Sequence, residues 1–171
     1  MGKLDVILSR GHSAASGAFP VQGDALIHVT WDASPDPEQF LGFISAYTKG
    51  RFSNNLAERV TLASTELLDN AVRYGSLARD FSYCLAAQTS QVSVSVRNTT
   101  TPARLEMLVA QLRRLESAPG QVYTSELERS MGPGSGRRSM LGLARIRHEA
   151  EMQVGIDVHI NEVTVRAQCK R

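Results

Sequence analysis

The residues of this chain whose types and spacing could do chemistry together lie in the run Glu66-Leu67-Leu68-Asp69-Asn70-Ala71-Val72-Arg73-Tyr74-Gly75. Glu66 and Asn70 are four apart, so on a helix their side chains share one face, a turn apart. Neither belongs to the apolar stripe Leu56, Val60, Ala63, Leu67, Ala71 of the same segment. A carboxylate beside a carboxamide suits a metal–phosphate site. The carboxylate accepts a proton from an attacking water or hydroxyl, and the amide oxygen ligates Mg2+, a hard cation that prefers oxygen. Arg73, close to one turn further on, reads as a phosphate contact or as a surface cation. By itself Glu-x-x-x-Asn is a common pairing on exposed helices, and only its surroundings give it meaning.

The elements that must position these residues are legible from periodicity. Residues 55–73 carry the long apolar stripe, and Gly75 ends the helix. Before it, residues 25–31 alternate and are rich in strand formers, and Phe40, Leu41, Ile44 and Tyr47 are spaced for a helix over 37–48. After it, residues 81–87 and 91–96 read as an antiparallel strand pair across a short link at Thr89-Ser90. Pro102 opens a helix to about 115 with Leu105, Leu108, Val109 and Leu112 inward. Residues 117–138 are polar and broken by Pro119, Gly120, Gly132, Pro133, Gly134 and Gly136, with room for a short helix near 125–129. A helix over 139–150 and two strands, 153–160 and 162–168, close the chain. Residues 1–24 read as an N-terminal extension with a short edge strand near 4–8, and residues 25–171 as one domain. Helices grouped with a mixed, mostly antiparallel sheet, on one of its faces, predict an α+β fold, a two-layer α/β sandwich.

Bulk composition narrows the classes. The 171 residues, 42% hydrophobic and 21% charged, suit a single globular domain. A net charge of +2 is too small to imply nucleic-acid binding. Arg137-Arg138 and the Lys170-Arg171 end are the basic clusters, with no aromatic platform or recognition helix beside them, so no nucleic acid is expected. No run approaches the roughly 20 apolar residues of a membrane span. Nor does a basic start followed by an apolar core mark a secretory leader, and cytoplasmic residence is the default expectation. Cys84 and Cys169 lack metal-type spacing. His12, His28, His148 and His159 are scattered in sequence.

Taken in order, the motifs resemble those of the gyrase/Hsp90/histidine-kinase/MutL (GHKL) ATPases, in the branch of bacterial anti-sigma factors and SiaB-type serine protein kinases. Glu66-x-x-x-Asn70-Ala71 followed by Tyr74-Gly75 is similar to that family's N-box. A hairpin ending in Val96-Arg97-Asn98 stands where the family has its first glycine box. The glycine-bearing stretch after residue 131 resembles its ATP lid, and Met140-Leu141-Gly142-Leu143-Ala144-Arg145-Ile146 resembles its second box opening a helix. The likeness spans about residues 25–168. It implies a Bergerat-type ATP-binding fold with ATP and Mg2+ as cofactors and Glu66 as catalytic base. It implies Asn70 as metal ligand, and Asn70, Arg73, Asn98, Arg137, Arg138, Leu141 and Gly142 as cofactor contacts. The implied partner is a bacterial regulatory protein, such as a STAS-domain anti-sigma antagonist, in a partner-switching circuit, with a homodimer as a further implication.

The departures predict weakened nucleotide binding. Asn98 replaces the adenine-reading Asp and would accept from the adenine amino group without the charge that strengthens the bond. Thr99, Thr100 and Thr101 replace glycines and restrict close approach. Met140 replaces a glycine at a helix N-terminus, where backbone N–H groups would meet phosphate. Two functions follow: an ATP-dependent serine/threonine kinase, or a non-catalytic adaptor (a pseudokinase) that binds a protein partner with the pocket lost.

Overall fold

The computed structural model describes residues 4–7, 24–31, 37–75, 81–131, 141–160 and 162–171. Its strands are β1 (Leu4–Ile7), β2 (Asp24–Trp31), β3 (Phe81–Ala87), β4 (Gln91–Thr99), β5 (Gln153–His159) and β6 (Glu162–Lys170). Its helices are α1 (Pro37–Arg51), α2 (Asn54–Tyr74), α3 (Pro102–Ser117), α4 (Pro119–Met131) and α5 (Leu141–His148). The strands form one sheet in the order β1-β2-β3-β4-β6-β5. Every pair is antiparallel. The α+β two-layer sandwich forms as expected, without the parallel admixture among the described strands. The hairpins β3–β4 and β5–β6 are joined in sequence with no helix between them, whereas β2 and β3 are joined through α1 and α2, and β4 and β6 through α3, α4, α5 and β5. The edge strand expected near 4–8 is β1, and its pairing with β2 starts the sheet ahead of the boundary expected at residue 24.

The core lies between the sheet and α1, α2 and α5. The stripe of α2 is buried throughout: Leu56, Val60, Ala63, Leu67 and Ala71 are all below one-tenth exposed. From β3, Tyr83 meets the Phe40 ring of α1 edge-on at 5.0 Å. Its hydroxyl shares a 2.8 Å hydrogen bond with Ser64 of α2. That bond satisfies a polar group at full burial, where an unpaired hydroxyl would cost about 1–3 kcal/mol.

The end of α2 is fixed by crowding. The Gly75 N–H closes on Ala71 O at 2.8 Å. A Cβ at Gly75 would lie 2.5 Å from Ala71 O and 2.8 Å from Asn98 Nδ2. Glycine is needed there for close approach, since its φ of −61° is open to any residue.

Two stretches differ from the periodicity reading. Thr101 caps α3 by accepting from the Arg104 N–H at 3.4 Å, with Pro102 in the first turn. Yet Leu105, Leu108 and Val109 are only half-buried, while Leu112 and Leu115 are buried. The first half of α3 spans a hollow rather than the core. The polar run after 117 holds α4, thirteen residues long. Its inward face is Val122 and Glu126, with Glu126 fully buried and ion-paired to Arg129. A buried face with a carboxylate in it leaves no apolar stripe for periodicity to detect.

Candidate functional site

Glu66 and Asn70 share the face of α2 that looks at α5, as the four-residue spacing requires. The two helices touch at Gly142, in the first turn of α5. A Cβ at Gly142 would lie 2.7 Å from Glu66 Oε2 and 3.2 Å from Asn70 Nδ2. Arg59 of α2 holds the far end of α5 by donating to the carbonyls of Ala150 at 2.6 Å and Glu151 at 2.9 Å. The acid, the amide and the glycine expected to form one site therefore converge.

The acid already has a partner. Arg145, three residues beyond Gly142 on α5, donates to and pairs with Glu66 Oε1. The same guanidinium reaches Glu149 through Nε at 2.8 Å and a second nitrogen at 3.2 Å. The Tyr123 hydroxyl of α4 donates to Glu149 at 3.2 Å, and its ring stacks on His148 at 4.2 Å. A polar chain thus runs from α4 through α5 to α2. Burial pushes the Glu66 carboxyl above its ordinary value, and the Arg145 charge pulls it part of the way back. The Arg145 hydrogen bond holds the Glu149 carboxyl below its ordinary value.

Beside this cluster is a hollow of about 60 Å³ between α2, α3, α5 and strands β4 and β6. Ala71, Val96, Leu143 and Val165 give it apolar walls; Asn70 and Asn98 give it polar ones. Asn98, buried near the end of β4, donates from Nδ2 to Ala71 O at 3.1 Å. That commits its nitrogen to the frame of α2 and makes its oxygen the group available to an occupant. Asn70 Nδ2 is buried with no hydrogen-bond partner. Arg104 closes one end, donating to Gly75 O at 2.8 Å.

The other expected contacts are placed less centrally. Arg73 pairs on the surface with Asp69 at 3.0 Å, both roughly half exposed. A pair at this spacing in water is worth about 0.3–0.5 kcal/mol, and it turns Arg73 along the helix rather than towards the hollow. Leu141 opens α5 and is half-buried. Arg137, Arg138 and Met140 lie outside the described residues. Periodicity missed Arg145, Glu149 and Tyr123. The Arg145/Glu149 spacing was a readable i,i+4 pair; the link to Glu66, 79 residues away in sequence, was not.

The residues present fit a purine nucleotide in kind: apolar walls, the Asn98 acceptor and the unsatisfied Asn70 amide. At about 60 Å³ the hollow is well short of the roughly 300–1,000 Å³ of drug-sized ligand sites. For Mg2+, Glu66 and an Asn70 amide turned to present Oδ1 are oxygen donors of the right type. As placed, the Arg145 guanidinium stands where the cation's charge would be. Among the described residues no group of three or more His, Cys, Asp or Glu is placed to hold a metal, and no helix is long and apolar enough to cross a membrane.

The fold and the converging Glu66–Asn70–Gly142 contact define a two-layer α+β protein with a hollow between helices and sheet. No family model matches the chain, and no curated protein matches it. Among solved structures it is similar to a chain in the crystal structure of the SiaB–SiaC complex from Pseudomonas aeruginosa. The TM-score is 0.61 at 15% identity, over 86% of this chain and 91% of that one. At this identity the likeness is one of fold.

Proposed function

We propose that this chain is a bacterial signalling regulator that takes Mg–ATP at the Glu66–Asn70 face and the adjoining hollow, and acts on a regulatory protein partner as a serine/threonine kinase of the partner-switching type. The observation that carries this reading is the buried, unpartnered Asn70 Nδ2 at the wall of a hollow whose other polar wall is Asn98. An orphaned buried N–H donor costs about 1–3 kcal/mol, which an added acceptor such as a nucleotide oxygen relieves. Asn98 Oδ1 would receive the adenine amino group, Asn70 Oδ1 would hold Mg2+, and backbone N–H groups around Leu141 and Gly142 would face phosphate. Bound Mg–ATP supplies the phosphoryl group. Glu66, once Arg145 releases it, would accept the proton of the partner's serine or threonine hydroxyl. Arg137 and Arg138 would clamp phosphate. The fold neighbour is a complex of two proteins, which supports a protein partner for this chain; a STAS-domain antagonist is the class the motif resemblance implies.

A second reading is favoured by the Arg145–Glu66 pair and the small hollow: a non-catalytic adaptor that binds its partner with the acid permanently neutralised. Calorimetric titration with Mg–ATP, run on the natural chain and on Asn70→Ala, separates the two. Heat that disappears in Asn70→Ala supports the nucleotide site. No heat and no thermal shift at saturating Mg–ATP removes it and leaves the adaptor. Transfer of labelled phosphate to a partner, abolished in Glu66→Gln, would exclude the adaptor.

A further inference from the structure

Arg145 holds two carboxylates at once, and it holds them differently. Its Nε and one terminal nitrogen form a fork on both oxygens of Glu149, at 2.8 and 3.2 Å. Only its other terminal nitrogen reaches Glu66. The fork lies within α5 at a four-residue spacing, so it travels with that helix. The Glu66 contact instead joins two helices across 79 residues of sequence. Breaking that contact leaves the guanidinium anchored by Glu149. The freed N–H groups then meet water, since the Arg145 side chain is 36% exposed. Glu66 has no such freedom. Its side chain is 12% exposed, and a carboxylate at that burial needs a cation or a donor beside it.

The fork is braced from outside α5. The Tyr123 hydroxyl of α4 donates to Glu149 Oε1, the same oxygen that Arg145 Nε uses. The Tyr123 ring is itself held by its stack on His148. Helix α4 thereby fixes the Glu149 carboxylate where it keeps the guanidinium. On the α2 side, Arg145 takes Oε1 of Glu66 and leaves Oε2. That second oxygen lies on the Gly142 side together with the buried, unpartnered amide of Asn70.

We propose that Arg145 is an internal counter-ion for Glu66 that gives way to a divalent cation, and that Glu149, braced by Tyr123, retains the guanidinium once it has let go. This role rests on the reading that the Glu66–Asn70 face takes a hard cation; it adds what controls entry. Arg145 and a cation compete for one carboxylate, so each weakens the other's hold on Glu66 by the same factor. The apparent metal affinity follows the share of molecules in which Arg145 has released Glu66. Glu149 raises that share by offering the guanidinium a complete alternative. Arg145 and Glu149 therefore act on metal binding in opposite directions, although they are partners in one ion network. A network that only held the helices together would lose affinity on removal of either.

Mn2+ alone, read by electron paramagnetic resonance, is the probe, since it takes the same oxygen donors as Mg2+. Arg145→Met should bind it at least about tenfold more tightly than the natural chain, because a competing unit charge is gone. Adding Glu66→Gln should abolish that gain, which excludes surface carboxylates as its source. Glu149→Gln should bind Mn2+ more weakly than the natural chain, and most of this loss should vanish in the Arg145→Met background. Tyr123→Phe should act in the same direction as Glu149→Gln, by less. Arg59→Met, which cuts the other tie between α2 and the end of α5, should give no gain. Glu149 is 33% exposed, so its variant spares the core and tests the competition even if Arg145→Met does not fold. Equal Mn2+ affinity in the natural chain and Arg145→Met, lost in Glu66→Gln, would overturn the role of Arg145 and leave the cation site standing. No Mn2+ at Glu66 in any variant would remove both. A gain in Arg59→Met as large as in Arg145→Met would also overturn it, since loosening of α5 rather than charge would then control the site.

Discussion

Gly142→Ala tests the contact on which the site depends. The added Cβ would lie 2.7 Å from Glu66 Oε2, inside van der Waals contact. A terminal carboxylate oxygen can usually swing away at little cost. Here it cannot move freely, because the Glu66 side chain is 12% exposed and its other oxygen is held by Arg145. Overpacking of this kind costs about 1–3 kcal/mol. Alanine's better helix propensity returns at most about 1 kcal/mol, and less in the first turn. The clash wins, leaving a net loss of roughly 1 kcal/mol, or a Tm lower by about 2–4 °C for a chain of this size. The reasoning also fixes a coupling. In an Arg145→Met background Glu66 is free to rotate, so Gly142→Ala should cost less there, by about 1 kcal/mol in a double-mutant cycle. Thermal and urea melts of the four proteins measure both quantities. If Gly142→Ala matched or exceeded the natural chain in stability, the close approach of α5 to α2 would be wrong. A full-sized loss that persisted without Arg145 would show that Glu66 is not pinned as described.

Other outcomes follow from the same geometry. Tyr83→Phe should lower stability by about 1 kcal/mol, since it deletes the buried hydroxyl bonded to Ser64 while Ser64 keeps its bond to Val60 O; urea melts read this directly. Glu149→Gln should destabilise at neutral pH. The Glu149 carboxyl titrates below its ordinary 4.5 in the folded chain, so its contribution is present above that value and lost as the pH falls through the folded value; the gap between the two proteins should close in acid. Burial pushes the Cys84 thiol up to about 11, so neither it nor buried Cys169 should react with iodoacetamide at neutral pH until the chain is unfolded, as read by mass spectrometry.

Periodicity was enough to place α1, α2 and α5 and strands β2, β4, β5 and β6 near their positions, because each carries an apolar repeat on the side turned to the core; β3 was found as a strand-forming run and is buried on both faces. It also set Glu66 and Asn70 on one side of α2, since four residues make about one turn. It could not find the full length of α4, whose inward face is Val122 and a buried, paired Glu126 rather than an apolar stripe. It overestimated the burial of Leu105, Leu108 and Val109, since spacing reports which residues share a face but not whether a core lies opposite.

Composition and spacing alone determined an α+β chain with an acid and an amide a turn apart; that a glycine near position 142 would meet them is what the motif resemblance implies. Tertiary structure alone decided that Arg145 pairs with the acid, that Asn98 commits its nitrogen to the end of α2, and that β5 pairs with β6 at one end of the sheet among the described residues. These are contacts between residues distant in sequence, set by how α2, α5 and the sheet pack. No local repeat encodes them, because the forces that make them act only after the chain has closed.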